Sequence, residues 1–286
     1  KSIISIEKEN WEEAYNLLTD VISRTPSNLE VQSQLAWCMG NLSDFDESIE
    51  MFTTVVNKIE GADLRTMDFK AENLWREAKI YIMKYESEDN ESNIQLVQTA
   101  FKLLIQIAKY CSDTFAKSYS LLGDIYVKYF KDPSRAFKCY YKAFELDSSD
   151  ISSAHYITEV YCDSADWNAA SQITGRLIKD ECAVNELRKT SWPYRVMGIS
   201  FIEKQMEAES IEYFQAAIRI SPSDVESWVG LGQAYLGCGR VEASIKVFEK
   251  VLTLDENHMF AQYFYAKALS EIGEFEQAIP IMKSIC

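Results

Sequence analysis

Around residue 230 the apolar and small residues fall at Trp228, Leu231, Gly232 and Tyr235, the i, i+3, i+4, i+7 spacing that lines one face of an α-helix. A second set, Ile245, Phe248 and Val251 or Leu252, repeats that spacing after a break at Gly239. The pattern predicts a helix, a tight turn and a second helix. Counted from Val225, the same arrangement starts 34 residues earlier at Ser191 and 34 residues later at Met259. The Ser191 unit carries Tyr194, Met197, Gly198, Phe201, Ser210, Phe214 and Ala217, and Pro222 stands where a proline ends the second helix. The Met259 unit carries Tyr265, Ala266, Leu269, Gly273, Ala278 and Met282. A Gly, Ala or Ser at the eighth and twentieth positions lets two helix backbones approach closely, while a large residue between them fills the neighbouring groove.

The frame extends towards the N-terminus with more variation. Tyr119, Leu122, Gly123, Tyr126, Ala136, Tyr140 and Ala143 mark a unit from Ala116 with an extra turn residue near Lys131-Asp132-Pro133. Ile157, Tyr161, Ala165 and Ala170 mark a degenerate unit from Ile151, with about six extra residues before Ser191. Leu35, Ala36, Met39, Ser48, Phe52 and Val55 mark a unit from Leu29, and Trp11, Ala14, Leu18, Val21 and Pro26 read as the second helix of an incomplete one. The most altered unit pairs Leu74, Ala78 and Tyr81 with Ala100, Leu104 and Ile107. Between them Glu86-Ser-Glu-Asp-Asn-Glu-Ser-Asn93 is too polar to pack and is expected to be a mobile acidic loop between lengthened helices. The expected organisation is one array with units at 1–28 (partial), 29–62, 63–115 (expanded), 116–150, 151–190, 191–224, 225–258 and 259–286 (truncated). Its apolar ends lack the polar caps a free array needs, so a segment of a longer array is expected.

Composition narrows the function. With 47% hydrophobic and 13% aromatic residues the chain has the material for a large core, and 10 Gly and 5 Pro are too few for a β-rich fold. A net charge of −15 repels phosphate backbones and anionic headgroups, which argues against autonomous nucleic-acid or membrane binding. Seven scattered cysteines without a CxxC pair suit neither a disulfide framework nor zinc and read as reduced packing residues. No window reaches the roughly 18 apolar residues of a membrane span, and the first residues do not form a signal peptide. An intracellular, cytoplasmic location is expected, with the nucleus as an additional one.

Catalytic chemistry finds no footing. The two histidines, His155 and His258, lack a partner pattern, and no GxxxxGK[ST], GxGxxG or GxSxG stretch occurs. Gly230, Gly232, Gly237 and Gly239 fall inside helices or at their ends, where their use is packing and turning. No enzyme, cofactor, metal or small-molecule substrate is expected. The methionines fall mostly on periodic core positions and read as packing before they read as an adaptable surface.

The residues Trp228, Leu231, Gly232, Tyr235 and Phe248, with Pro222 and Pro26 closing second helices, resemble the signature of the tetratricopeptide repeat (TPR) family over essentially the whole chain. Ser244 departs from it, standing where the family most often has Ala. The resemblance implies an all-α, right-handed α-solenoid of stacked helix-turn-helix repeats, with Trp228 as a buried knob whose removal costs roughly 3 to 5 kcal/mol. It also implies that first helices line a concave surface, so partner contacts are expected from their second, fifth, sixth, ninth and twelfth positions. In the Ser191 unit these are Trp192, Arg195, Val196, Ile199 and Ile202; in the Met259 unit they are Phe260, Tyr263, Phe264, Lys267 and Ser270. The Lys and Asn set with which some TPR proteins clamp chaperone tails is not present. Aromatic and aliphatic positions suit burying a partner helix or extended segment, or packing against another part of a longer chain.

The stretch Glu226 to Tyr235, Gly239 to Phe248, Phe260 to Phe264 and Gly273 to Ile279 further resembles the large TPR scaffold subunits of the superkiller (Ski) complex in their fungal form. That resemblance implies a non-catalytic scaffold whose partners are an RNA helicase and WD-repeat subunits, serving cytoplasmic exosome-mediated mRNA decay. The alternative is a cargo or chaperone adaptor that grips a short peptide in its concave groove, with Arg195, Tyr263 and Lys267 as contacts.

Overall fold

The computed structural model describes residues 6, 8, 10–61, 63–88 and 93–285. They form two compact units, one within residues 1–147 and one within 148–286. The first holds α1 (Trp11–Arg24), α2 (Leu29–Asn41), α3 (Phe45–Lys58), α4 (Leu64–Ser87), α5 (Ile94–Tyr110), α6 (Ala116–Lys128) and α7 (Pro133–Leu146). The second holds α8 (Ile151–Asp163), α9 (Trp167–Lys179), a 3-10 turn at Glu181–Ala183, the short α10 (Val184–Leu187), α11 (Trp192–Glu203), α12 (Glu207–Ile220), α13 (Val225–Gly237), α14 (Val241–Leu254), α15 (Met259–Glu271) and α16 (Phe275–Ile285). No strand occurs among the described residues. Within each unit successive helices pack as pairs, the layered arrangement of an α-solenoid of helix-turn-helix repeats.

The helix starts are written in the sequence. Asn28 caps α2 by accepting from the amides of Glu30 and Val31, and Asp63, Asp132, Asp150, Asp166 and Asp224 cap α4, α7, α8, α9 and α13. The turn within a pair has one recurrent geometry. Ser43, Lys131, Ala165, Gln205, Gly239 and Gly273 all take positive φ, between 52° and 87°. A left-handed residue at this place reverses the chain and aims the second helix back along the first. Glycine takes it freely at Gly239, whereas Gln205 and Lys131 carry a side chain through a region that costs L-residues about 1 kcal/mol.

Close packing explains the small residues. The ring of Phe248, fully buried, lies over Gly232: a Cβ there would stand 2.6 Å from Phe248 Cζ. Tyr140 covers Gly123 and Phe214 covers Gly198 in the same way, each at 2.7 Å. Phe214 also presses on Gly230 of the next pair, at 2.2 Å from an added Cβ, so one ring joins two repeats. Ser244 has a polar reason to replace Ala. Its buried hydroxyl donates to the carbonyl of Gly232 at 3.0 Å, as Ser48 donates to Ala36 at 2.7 Å.

Other regions depart from the periodic frame. Trp228 is half-buried, not enclosed: its indole lies between the Phe214 and Phe248 clusters, and Nε1 donates to the carbonyl of Pro222 at 2.9 Å. The extra residues before Ser191 make the 3-10 turn and α10, anchored by buried Ala183 and Leu187. In the acidic stretch, Glu86 and Ser87 end α4, and Glu86 accepts from Lys128 and Tyr129; residues 89–92 lie outside the described residues.

Candidate protein-docking surface

The positions expected to meet a partner divide sharply between the two repeats that supply them. In α11, Val196 is buried, and Ile199 and Ile202 pack against Phe214 and Leu231. Trp192 is half-buried, edge-on to the His155 ring at 4.9 Å. Arg195 is engaged within the chain. Its Nη1 donates to both carboxylate oxygens of Asp224 at 2.9 Å, and that carboxylate, almost wholly buried, also caps α13. The guanidinium therefore ties one repeat to the start of the next. These α11 residues hold the stack together, which the periodic frame alone did not reveal.

In α15 three of the five corresponding positions face outward. Phe260 is 70% exposed, Met259 61% and Tyr263 45%, and Lys267 is exposed one turn further on. Phe264 is half-buried, stacked on Phe248 with ring centroids 6.0 Å apart and planes at 10°, and Tyr263 meets its edge at 5.2 Å. Ser270 donates to the Lys267 carbonyl. Met259, Phe260, Tyr263 and Phe264, with Gln233 of α13 and Ile285 of α16, line an open groove of about 450 Å³. Gln233 occupies the ninth position of its own unit, so its place could be read from the repeat; Ile285, on a second helix, carries no such signal.

The groove is apolar with a rigid floor, because Phe264 is held against the core by Phe248. Large exposed aromatic and thioether groups in one patch are what a partner's side chains bury against. Its polar fittings are few. His258 caps α15, its Nδ1 accepting from the Ala261 amide at 3.2 Å while Nε2 lies 3.4 Å from Glu226, so this histidine is committed to helix geometry. His155 stands beside Glu159 at 3.6 Å on α8. Among the described residues no three His, Cys, Asp or Glu side chains gather as metal ligands, and the six described cysteines are unpaired. Burial pushes the Cys38 and Cys139 thiols up to about 11, away from nucleophilic use. No described helix is long and apolar enough to cross a membrane.

Comparison with known proteins agrees with this architecture. The tetratricopeptide repeat family model matches residues 116–150 and 225–258. Superkiller protein 3 of Saccharomyces cerevisiae is 53% identical over 286 residues, which is 100% of this chain and 20% of that protein. Superkiller protein 3 of Schizosaccharomyces pombe is 27% identical over 289 aligned positions, again 100% of this chain and 20% of the relative. The chain thus spans about a fifth of the length of the curated relatives it matches. Among solved structures, YrrB, described as a TPR protein with an unusual peptide-binding site, superposes with a TM-score of 0.52 at 17% identity, covering 64% of this chain and 90% of its own. At that identity the likeness speaks for the fold.

Proposed function

The chain is a TPR array similar along its whole length to superkiller protein 3 of two fungi, and on that premise we propose that it is a non-catalytic interaction segment of a Ski-complex scaffold. In this reading it helps to organise an RNA helicase and WD-repeat subunits for exosome-mediated mRNA decay in the cytoplasm. The observation that carries the proposal is the 53% identity over the whole chain, irregular repeats included. The acidity of the chain, −15, supports a division of labour in which the helicase handles RNA. The exposed Met259, Phe260 and Tyr263 groove supplies a surface on which a partner helix or extended segment can bury apolar side chains.

Affinity capture from yeast cytoplasmic extract, read by mass spectrometry, tests it. The bait is the tagged chain beside its Phe260→Asp/Tyr263→Asp variant, with circular dichroism confirming that both are folded. Recovery of an RNA helicase and a WD-repeat protein with the parent chain, reduced by the groove variant, is the expected result. Recovery of chaperones or of one peptide-tailed cargo in their place would favour the adaptor reading and refute the scaffold.

A further inference from the structure

The first unit carries a second surface, chemically unlike the α15 groove. Trp37 of α2 and Trp75 of α4 lie with ring centroids 6.1 Å apart and planes at 33°. Lys79, one turn beyond Trp75, holds its ammonium 5.7 Å from the Trp37 centroid and 5.2 Å from that of Trp75. Lys117, at the start of α6, places its own ammonium 5.1 Å from the Trp75 centroid, and the Arg76 guanidinium lies 5.6 Å from Trp37. Three successive first helices thus converge on one aromatic and cationic platform.

Its charges are not balanced. Glu72 serves two of the three cations, at 3.2 Å from Arg76 Nε and 3.1 Å from Lys117 Nζ. Arg76 is further held by the Ser33 hydroxyl. Lys79 has no carboxylate within ion-pair distance among the described residues, although acidic side chains outnumber basic ones 44 to 29 along the chain. The buried Trp75 Nε1 has no acceptor either. An ammonium against two indoles gains only part of what a carboxylate would return, so the site is short of an anion.

We propose that the Trp37, Trp75, Lys79 and Lys117 platform binds an extended acidic segment of a partner protein, with a carboxylate seated on Lys79 and flanking apolar side chains laid against the half-buried indoles. Protein is favoured over RNA on two grounds. The chain's own cations already lie over both indoles and compete with a base for stacking on them. Phosphate-driven affinity grows with the number of phosphates neutralised, and two accessible ammoniums within a chain of charge −15 neutralise few. This site is not required by the scaffold reading and stands or falls separately from it.

Fluorescence anisotropy of the whole chain decides the matter with three labelled probes: a short peptide of alternating Asp and Leu, its Asn and Leu counterpart, and an oligouridine of similar length. Saturable binding of the acidic peptide that weakens with salt, with none of the neutral one, is expected. Lys79→Gln should weaken it about tenfold and Lys117→Gln several-fold. Lys102→Gln, which makes the same change in net charge on the exposed face of α5, should leave it unaltered. Lys117 is 58% exposed, so its variant remains informative should Lys79→Gln lose helicity. Absence of acidic-peptide binding overturns the proposal, as does equal affinity in both lysine variants and the parent. Oligouridine bound as tightly as the acidic peptide, and released by the same substitutions, would make the platform an RNA site and overturn it too.

Discussion

Gly232 and Phe248 form a pair whose coupling can be calculated in sign before it is measured. Gly232→Ala adds a methyl 2.6 Å from Phe248 Cζ and 2.7 Å from Cε1. The ring cannot swing freely, being fully buried and stacked on Phe264. In isolation alanine gains about 1 kcal/mol of helix propensity over glycine. Overpacking against a confined ring costs about 1 to 3 kcal/mol. The single substitution should therefore destabilise by about 1 kcal/mol. Phe248→Ala alone should cost about 3 to 5 kcal/mol through lost transfer energy and the cavity it leaves. In that emptied site the added methyl meets no ring, so propensity acts alone and Gly232→Ala should stabilise by about 1 kcal/mol. The double-mutant cycle then shows a coupling of about 2 kcal/mol and a change of sign. Because neighbouring repeats can open independently, the assay is hydrogen exchange with mass spectrometry on peptides from α13 and α14, which reports their local opening free energy. A Gly232→Ala effect equal in the two backgrounds to within about 0.5 kcal/mol would refute the claim that the ring imposes the glycine.

Three further outcomes are expected. Trp228→Ala should cost about 1 to 2 kcal/mol, below Phe248→Ala, because part of the indole stays in water and the one hydrogen bond lost is that to Pro222; hydrogen exchange across α13 compares the two directly. Gln205→Gly should raise the thermal stability of the α11–α12 pair by about 0.5 to 1 kcal/mol, since the left-handed turn (φ 59°) penalises a side chain more than glycine penalises itself in chain entropy. Burial raises the Glu77 carboxyl from 4.5 to about 7, against the opposing hydrogen bond from Thr53 at 3.0 Å. The folded chain thus holds this proton more tightly than the unfolded one, so Glu77 favours folding most below pH 4.5 and loses that advantage as pH rises to about 7. Glu77→Gln should remove this decline and stabilise the chain by about 2 kcal/mol above pH 7, and parallel urea midpoints for parent and variant from pH 5 to 8 would contradict it.

What the sequence made legible was whatever obeys the 34-residue period. Leu231, Gly232, Phe248, Phe214 and Tyr140 sit where the helical spacing puts them, because a stacked repeat has one way to bury a face. Ser244 shows the limit of that reasoning. As a departure from Ala it reads as a defect, and only the hydroxyl's bond to the Gly232 carbonyl reveals it as a buried polar clasp. The turns were half legible. Gly239 and Gly273 announce a left-handed residue, whereas Ser43, Lys131, Ala165 and Gln205 adopt the same conformation without a glycine to signal it, since the two flanking helices impose the reversal. Arg195 is legible as a first-helix residue, but its internal neighbour is not, because a charge at a surface position does not disclose that a cap carboxylate from the next repeat lies 2.9 Å away.

The same contrast says where function can reside in such an array. Core positions are fixed by mutual packing, so they repeat and carry little that distinguishes one partner from another. Between them the first-helix surface is unconstrained, and each repeat uses it differently. The Ser191 repeat commits its positions to an internal ion pair and to packing around Phe214. The Met259 repeat leaves Met259, Phe260 and Tyr263 in solvent over the rigid floor of Phe264. In the first unit, Trp37, Trp75 and Lys79 occupy the equivalent helices, and Lys79 has no carboxylate at ion-pair distance among the described residues. On the proposed reading, an apolar groove and a cationic platform on one polypeptide would select partners of different chemistry. A scaffold of the kind proposed needs that difference, and the repeat can supply it without altering the period that folds the chain.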